Sequence, residues 1–144
     1  MPFSSSFALT RASASDTLAI ASLLSASFDQ SARDNYFGVS TPTDRPKLAD
    51  KYAKTMATDA ADVWLKVTDS TTEDIVAASN WKVYIAPETA LPRVRDEPAP
   101  WLDGEAREKQ RLLMEPLNEA RARANLGPFM CTSRPVVGTR NADV

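Results

Sequence analysis

The chain has 144 residues, of which 43% are hydrophobic and 25% are charged, proportions typical of a globular domain. Its 17 basic and 19 acidic residues leave a net charge of -2, which argues against nucleic acid or an anionic membrane surface as a partner. There is no histidine and one cysteine, Cys131, which excludes an internal disulfide, histidine-dependent catalytic pairs and most zinc sites. We therefore expect one domain over residues 1–144, without a metal.

The first half of the chain alternates between strand and helix patterns. "FALTR" predicts a short strand, and Ser15 or Asp16 then caps a helix that runs to about residue 29. Its apolar face is expected to hold Leu18, Ala21, Leu24 and Phe28, widened by Ile20 and Leu23. Residues 29–44 have loop composition. A second helix follows, capped by Thr43 or Asp44, with Pro46 in its first turn and Leu48, Tyr52 and Met56 on one face.

The second half begins with two strands and ends with one. "ADVWLKVTD" predicts a half-buried strand in which Val63, Leu65 and Val67 alternate with Trp64 and Lys66. The short turn "STTED" joins it to "IVAASNWKVYI", which requires an antiparallel hairpin. Residues 86–102 form a proline-rich linker. A helix starts near Asp103, is kinked or restarted at Pro116 and stops at Gly127, before a short apolar strand, "PFMCTS".

This order predicts an α/β (α+β) fold with a mostly antiparallel sheet of about four strands and flanking helices. The segments "FALTRASASD", "VWLKVTDSTTEDIVAASNWKVY" and "EPLNEARARANLG" occur in an order that resembles the N-terminal half of the GNAT family of N-acetyltransferases. The resemblance implies an incomplete GNAT-like fold, acetyl-CoA as cosubstrate, and transfer of its acetyl group to a primary amine. The acceptor would be a small molecule or a peptide.

In that family a Q/R-x-x-G-x-G/A loop after the fourth strand holds the cofactor pyrophosphate, because backbone amides and a helix dipole form an anion site there. On this chain the pattern places Pro135 upstream of the loop and Gly138 at its first position. Asn141 and Asp143 stand where the two glycines belong. The resemblance thus assigns the pyrophosphate to the following loop residues: Gly138, Thr139, Arg140, Asn141, Ala142 and Asp143.

The resemblance also implies a place for the thioester and for the acceptor amine. Backbone amides of the fourth strand at Met130, Cys131 and Thr132 would polarise the thioester carbonyl, as preorganised donors do in other acyl transfers. Tyr36 and Phe37 lie where relatives shape the acceptor pocket, although an aromatic pair in a loop more often fills a hydrophobic core. No residue is assigned as general acid or base.

Other candidate residues have structural interpretations. Trp64 and Trp81 predict aromatic packing across the hairpin rather than a substrate site. Cys131 lacks a histidine to activate it and is expected to act as a small hydrophobic residue. A basic run is interleaved with glutamates and is expected to be a solvated helix face; it comprises Arg107, Lys109, Arg111, Arg121 and Arg123.

A non-catalytic alternative remains open. Asp143 would place a carboxylate against the pyrophosphate, and at Val144 the sequence stops within the loop, so the chain is expected to be a truncated domain. Under this hypothesis the chain is a remnant or misread product without a cofactor site. It would associate with itself through an exposed strand edge. In either case the expected location is the cytoplasm, because no apolar run has the length of a membrane span and a strand pattern directly follows the serine-rich start.

Overall fold

An antiparallel sheet organises the computed structural model, which describes residues 6–84, 96–124 and 129–137. Its strands are β1 (Phe7–Arg11), β2 (Asp62–Asp69), β3 (Ile75–Tyr84) and β4 (Phe129–Val137). Their order in the sheet is β1-β2-β3-β4, and every neighbouring pair is antiparallel. The α+β class predicted from the sequence is confirmed.

Three longer helices accompany the sheet: α1 (Thr17–Ser27), α2 (Arg45–Thr58) and α3 (Gly104–Ala124). The prediction of an irregular loop over residues 29–44 is wrong. This segment holds a short helix at Gln30–Ala32, a π-helical turn at Arg33–Phe37 and a 3-10 turn at Pro42–Asp44. The Asp29 side chain starts the series by accepting a 2.8 Å hydrogen bond from the Ala32 backbone N–H.

Helix α1 packs through a face that differs from the predicted one. Ile20, Ala21 and Leu24 are completely buried, whereas Leu18, predicted to be in the core, is 53% exposed. Ser25 is also buried, because its hydroxyl donates to the Ala21 carbonyl at 2.8 Å and so needs no water. The buried face of α1 is therefore rotated toward Ile20, which the sequence pattern placed only at its margin.

Helix α2 lies beside α1 and begins and ends close to the predicted positions. Pro46 is in its first turn, and Leu48 and Tyr52 are buried. Asp44 stands at the N-cap position as predicted, but its carboxylate accepts hydrogen bonds from Thr41, at the start of the preceding 3-10 turn. The carboxylate thus stabilises the turn that leads into α2 rather than the first amides of the helix itself.

The β2–β3 hairpin is confirmed, but the prediction that Trp64 and Trp81 pack across it is wrong. Trp64 pairs with Asn80, and Trp81 pairs with Val63, so the two indoles lie on opposite faces of the sheet. Trp64 is 3% exposed and contacts the Tyr52 ring of α2, with centroids 4.7 Å apart. The face that the helices cover therefore carries Trp64.

The predicted proline-rich linker, residues 86–102, is described only from residue 96, and that part is tied to α3. Asp96 exchanges two hydrogen bonds with the side chain of Asn118, at 2.8 and 3.0 Å. The Ala99 N–H donates to the Gln110 side chain at 2.6 Å. Side-chain amides of a helix thus satisfy the backbone of an extended segment, a role that composition alone does not predict.

Helix α3 continues through Pro116, so the predicted alternative of a new helix there is wrong, and the predicted kink stays a prediction. Pro116 and Leu112, one turn before it, are both exposed, so the Leu112 carbonyl that loses its helical partner can bind water instead. Gly127, the predicted end of the helix, lies outside the described residues. Strand β4 reaches Val137 and so includes Pro135, whereas the sequence predicted a strand ending near Ser133.

The core lies between α1, α2 and the face of β2 and β3 turned toward them. Its members are mostly aliphatic and aromatic residues: Ile20, Ala21, Leu24, Phe37, Val39, Leu48, Ala49, Tyr52, Trp64 and Ala78. Both residues contributed by the sheet, Trp64 and Ala78, lie on one face. Among the side chains that the structure describes, the other face of the sheet contributes no residue to this core.

Candidate functional site

Strand β4, on which the resemblance places the thioester, stands at the edge of the sheet as far as the structure describes it, and its register is irregular. It stands last in the sheet order and pairs with β3. Asn80 pairs with Arg134, but the next residue of β3, Trp81, pairs with Thr132, so Ser133 is an extra residue in β4. Such a bulge leaves one residue out of the ladder and turns the neighbouring backbone, and bulges are frequent near active sites.

The three expected thioester contacts directly adjoin this bulge. They pair with consecutive residues of β3: Thr132 with Trp81, Cys131 with Lys82 and Met130 with Val83. The six expected pyrophosphate residues, Gly138, Thr139, Arg140, Asn141, Ala142 and Asp143, lie outside the described residues. The described part of the predicted cofactor site is therefore the backbone of β4.

A buried polar cluster lies next to the bulge, on the helix-covered face of β2 and β3. At its centre is Asp62, whose side chain is 2% exposed. Its Oδ1 accepts from the Asn80 amide at 2.9 Å and pairs with the Lys82 ammonium at 2.6 Å. Its Oδ2 accepts from the Trp64 indole N–H at 2.8 Å. Both carboxylate oxygens are thus engaged by donors from β2 and β3.

A second carboxylate completes the cluster from the end of α2. Asp59 follows the last residue of that helix, and its Oδ2 accepts from Lys82 Nζ at 2.9 Å while its Oδ1 accepts from the Ala61 backbone N–H. Lys82 therefore lies between two carboxylates, with a side chain that is 17% exposed. We call these residues the Asp62 cluster: Asp59, Asp62, Trp64, Asn80 and Lys82.

Asp59 and Asp62 stabilise the protonated, charged form of Lys82. Burial by itself would lower the pKa of the ammonium, but the hydrogen bonds to Asp62 and Asp59 outweigh it and raise the pKa above its ordinary value of 10.5. A lysine with a raised pKa stays protonated at neutral pH, so it cannot act as a general base there. The cluster is chemically satisfied, and its role is to fix β2 against β3 beside the bulge.

The cavities near these residues differ in size and charge. One of about 80 Å³ opens beside the cluster, and Tyr52, Asp62 and Lys82 line it. That volume is far below the range of about 300–1,000 Å³ typical of small-molecule sites, so it has no room for a nucleotide cofactor. A larger cleft of about 390 Å³ lies between residues 96–98 and α3.

The larger cleft is lined by more carboxylates than guanidinium groups: Asp96, Glu97, Glu108 and Glu115 against Arg107 and Arg111. Arg111 is already bound to Glu108, with 2.7 Å between Nη2 and Oε1. The cleft therefore has the wrong charge balance for phosphate groups. The predicted solvated face of α3 agrees with the exposure of its arginines, since the side chains of Arg111 and Arg123 are 47% and 74% exposed.

The expected acceptor-side pair, Tyr36 and Phe37, is divided by the π-helical turn that contains it. Phe37 is 6% exposed and packs on Phe28, with ring centroids 5.1 Å apart. Tyr36 is 43% exposed. Phe37 therefore fills the core, and an acceptor-binding role for Tyr36 stays a prediction.

Sequence reasoning missed the Asp62 cluster, although a signal for it was present. Asp62 and Trp64 are two residues apart on one strand, as are Asn80 and Lys82 on the next. A strand period of two puts each pair on one face. The strand pattern gave Asp62 no role of its own, because the polar residues of β3 were not compared with those of β2.

In comparisons with protein-family models, with curated proteins and with solved structures, nothing matches this chain. Among the described residues, no group of three or more potential ligands is arranged to hold a metal ion. None of the helices in the described ranges combines the length and the apolar character that a bilayer crossing requires.

Proposed function

We propose that this chain is a GNAT-type acyltransferase domain that binds acetyl-CoA along β4 and transfers its acetyl group to a primary amine, in the cytoplasm. The observation that carries the proposal is the position of β4: an edge strand, interrupted by a bulge at Ser133, at the end of a fully antiparallel sheet. An edge strand has backbone groups that no neighbouring strand pairs. A bulge additionally frees one residue from the ladder on its paired side.

The chemistry of this proposal needs backbone donors more than it needs a reactive side chain. A neutral amine attacks the thioester carbonyl carbon, and the carbonyl oxygen becomes an oxyanion. The C–S bond then breaks to release CoA as a thiolate, the nitrogen loses its extra proton to water, and water protonates the thiolate. N–H groups fixed near the oxyanion stabilise it without reorganisation. Amides of β4 at Met130, Cys131 and Thr132 are the proposed donors, and the Asp62 cluster holds the paired strand β3 in place.

Calorimetry and hydrogen exchange test this function together. Titration with acetyl-CoA is expected to give micromolar binding, and exchange measured by mass spectrometry is expected to slow in the peptide covering residues 129–137. Peptides covering β1 serve as the internal control, because that strand stands at the opposite end of the sheet order from β4. If millimolar acetyl-CoA produces neither heat nor protection of β4, the proposed function is wrong.

A second candidate function is a non-catalytic interaction module, and a different observation favours it. The sheet face away from the helices carries the exposed Phe7 and Leu9, which are 55% and 69% accessible. Exposed apolar surface of this kind marks interaction sites. A folded chain that ignores acetyl-CoA in the titration above but binds another protein through this face would support the module instead of the enzyme.

A further inference from the structure

The sheet places polar residues beside apolar ones on the face that the helices cover, and apolar residues on the face away from them. An antiparallel sheet covered by helices on one side normally turns apolar residues toward them and polar residues toward water. Here the face beneath the helices holds the polar residues Asp62, Asn80 and Lys82. The opposite face, which we call the open face, is mostly apolar on the three strands whose side chains are described: Phe7, Leu9, Val63, Leu65, Val67, Ala77, Trp81 and Val83. Its polar members are Arg11, Asp69 and Ser79.

Within the described ranges, the helices that contact the strands lie on the other side of the sheet. Helices α1 and α2 pack on each other and on the Trp64 face, and α3 contacts the π-helical turn. The strand register makes the open face continuous, because Leu9 pairs with Val67, which in turn pairs with Ala77. A sheet face of this composition stabilises the molecule only when something covers it.

We infer that the open face binds the same face of a second copy of this chain, forming a two-fold symmetric dimer of stacked sheets. This inference is independent of acetyl-CoA binding. Paired sheets stack about 10 Å apart with their strands within about 30° of one another, and apolar side chains from both inner faces form the contact. The open face supplies the same apolar surface to both sides, as an isologous contact requires.

The charges at the ends of the open face favour one arrangement. Its cation, Arg11, stands at one end of β1, and Phe7 stands at the other end, paired with Asp69. Asp69 leads into the turn that carries the exposed Glu73. A two-fold axis that lies between the two sheets, passes at the level of Leu9 and runs across the strands therefore places each Arg11 over the partner's Phe7. The same axis places Arg11 near the partner's acidic turn. Both cation–π and ionic attraction result, twice in each dimer.

The size of the face sets the expected strength. Strands lie about 4.8 Å apart and rise about 3.3 Å per residue, so the three strands of the open face have an area of roughly 240 Å² over the five residues that an axis through Leu9 can overlap. Two such faces bury about 500 Å² in total, which is below the range of stable complexes and at the low end of transient ones. The dimer is therefore expected to be concentration-dependent, with monomers dominating in dilute solution.

Sedimentation analysis from micromolar to millimolar protein concentration tests the dimer. The wild type is compared with variants that carry a charged residue at the two-fold axis. Leu9→Glu and Leu9→Lys are each expected to weaken association about tenfold or more, because the same charge meets itself across the axis. An equimolar mixture of the two variants is expected to regain association, since Glu then faces Lys. Leu18→Glu is the matched control: Leu18 is 53% exposed, but it lies on α1, away from the open face.

Val67→Glu separates this contact from pairing between strand edges. Val67 is on β2, one strand in from the edge, so its substitution is expected to weaken stacking but not the addition of a strand to β1. Circular dichroism and melting confirm that each variant remains folded. A wild type that stays monomeric at millimolar concentration, a mixture that does not recover, or a Val67→Glu variant that associates normally would each overturn the inference.

Discussion

Asp62 shows how a single buried carboxylate can organise two strands. Its oxygens receive an indole N–H, an amide and an ammonium, all between 2.6 and 2.9 Å. A buried carboxylate is stable only when its desolvation is offset by donors of this kind. The cluster therefore fixes the register of β2 against β3 at the end where β4 is bulged, and a register error would leave several polar groups unpaired.

The cluster predicts a large effect of Asp62→Asn on stability. The substitution removes the charge that faces Lys82. It also replaces one acceptor oxygen by an amide NH2 group, which then faces one of the three donors around Asp62. The free energy of unfolding is therefore expected to fall by about 3 kcal/mol. Urea denaturation monitored by circular dichroism measures it. The matched control is Asp44→Asn, whose partner Lys47 has a half-exposed side chain and whose loss is expected to cost under about 1 kcal/mol. Equal effects in the two variants would contradict a special role for Asp62.

At the scale of elements, the π-helical turn is locked to the segment before α3. Gly38 ends the turn with a φ of +67°, and its carbonyl accepts a 2.7 Å hydrogen bond from the Trp101 indole. A Cβ at this position would stand 2.7 Å from the Cβ of Ala99. Glycine is thus required twice, by the left-handed backbone and by the close approach of the neighbouring segment.

Gly38→Ala is therefore expected to lower the free energy of unfolding by about 2–3 kcal/mol, as the sum of backbone strain and overpacking. Gly104→Ala isolates the first of these effects: its φ is +45°, but nothing lies within 4 Å of an added Cβ. We expect this control to cost only about 1 kcal/mol. Thermal melts of the two variants provide the comparison, and a Gly38 variant as stable as the Gly104 variant would show that the Ala99 contact relaxes freely.

Elements also differ in how well sequence patterns predicted them. The hairpin and α2 were predicted well because a short turn, a strand period of two and a proline in a first helical turn are local signals. The face of α1 was misjudged because Leu18 and Ile20 are equally apolar, and only the position of α2 and the sheet decides which is covered. Residues 29–44 were mistaken for loop because their turns are stabilised by side chains such as Asp29.

At the scale of the whole molecule, the ion pairs of Lys82 and Asp16 set the pH range over which the fold is most stable. Lys82 has a raised pKa, so its contribution is fully present below the unfolded value of 10.5 and is lost as the pH rises through the folded value above it. Asp16 behaves in the opposite sense. Burial would raise its pKa, but hydrogen bonds from Lys66 and Ser13 outweigh this and lower it below 3.8, so its contribution is lost as the pH falls through that lower value.

We therefore expect a stability plateau that falls away above about pH 10.5 and below about pH 4. Lys82→Met is expected to be less stable at neutral pH but to show a shallower alkaline decline, and Asp16→Asn a shallower acid decline. Urea titrations at a series of pH values measure the slopes. An unchanged alkaline slope in Lys82→Met would mean that another group controls that limit.

The sequence by itself determined the α+β class, the hairpin and the approximate positions of the three longer helices. These depend on local periodicity, turn chemistry and order along the chain, which neighbouring residues specify directly. Tertiary structure alone decided that Asp59, Asp62 and Lys82 meet, and that Phe37 is core while Tyr36 is exposed. It also decided that the sheet turns its aliphatic face away from the helices. Alternation along a strand defines two faces, but only packing selects which of them is buried.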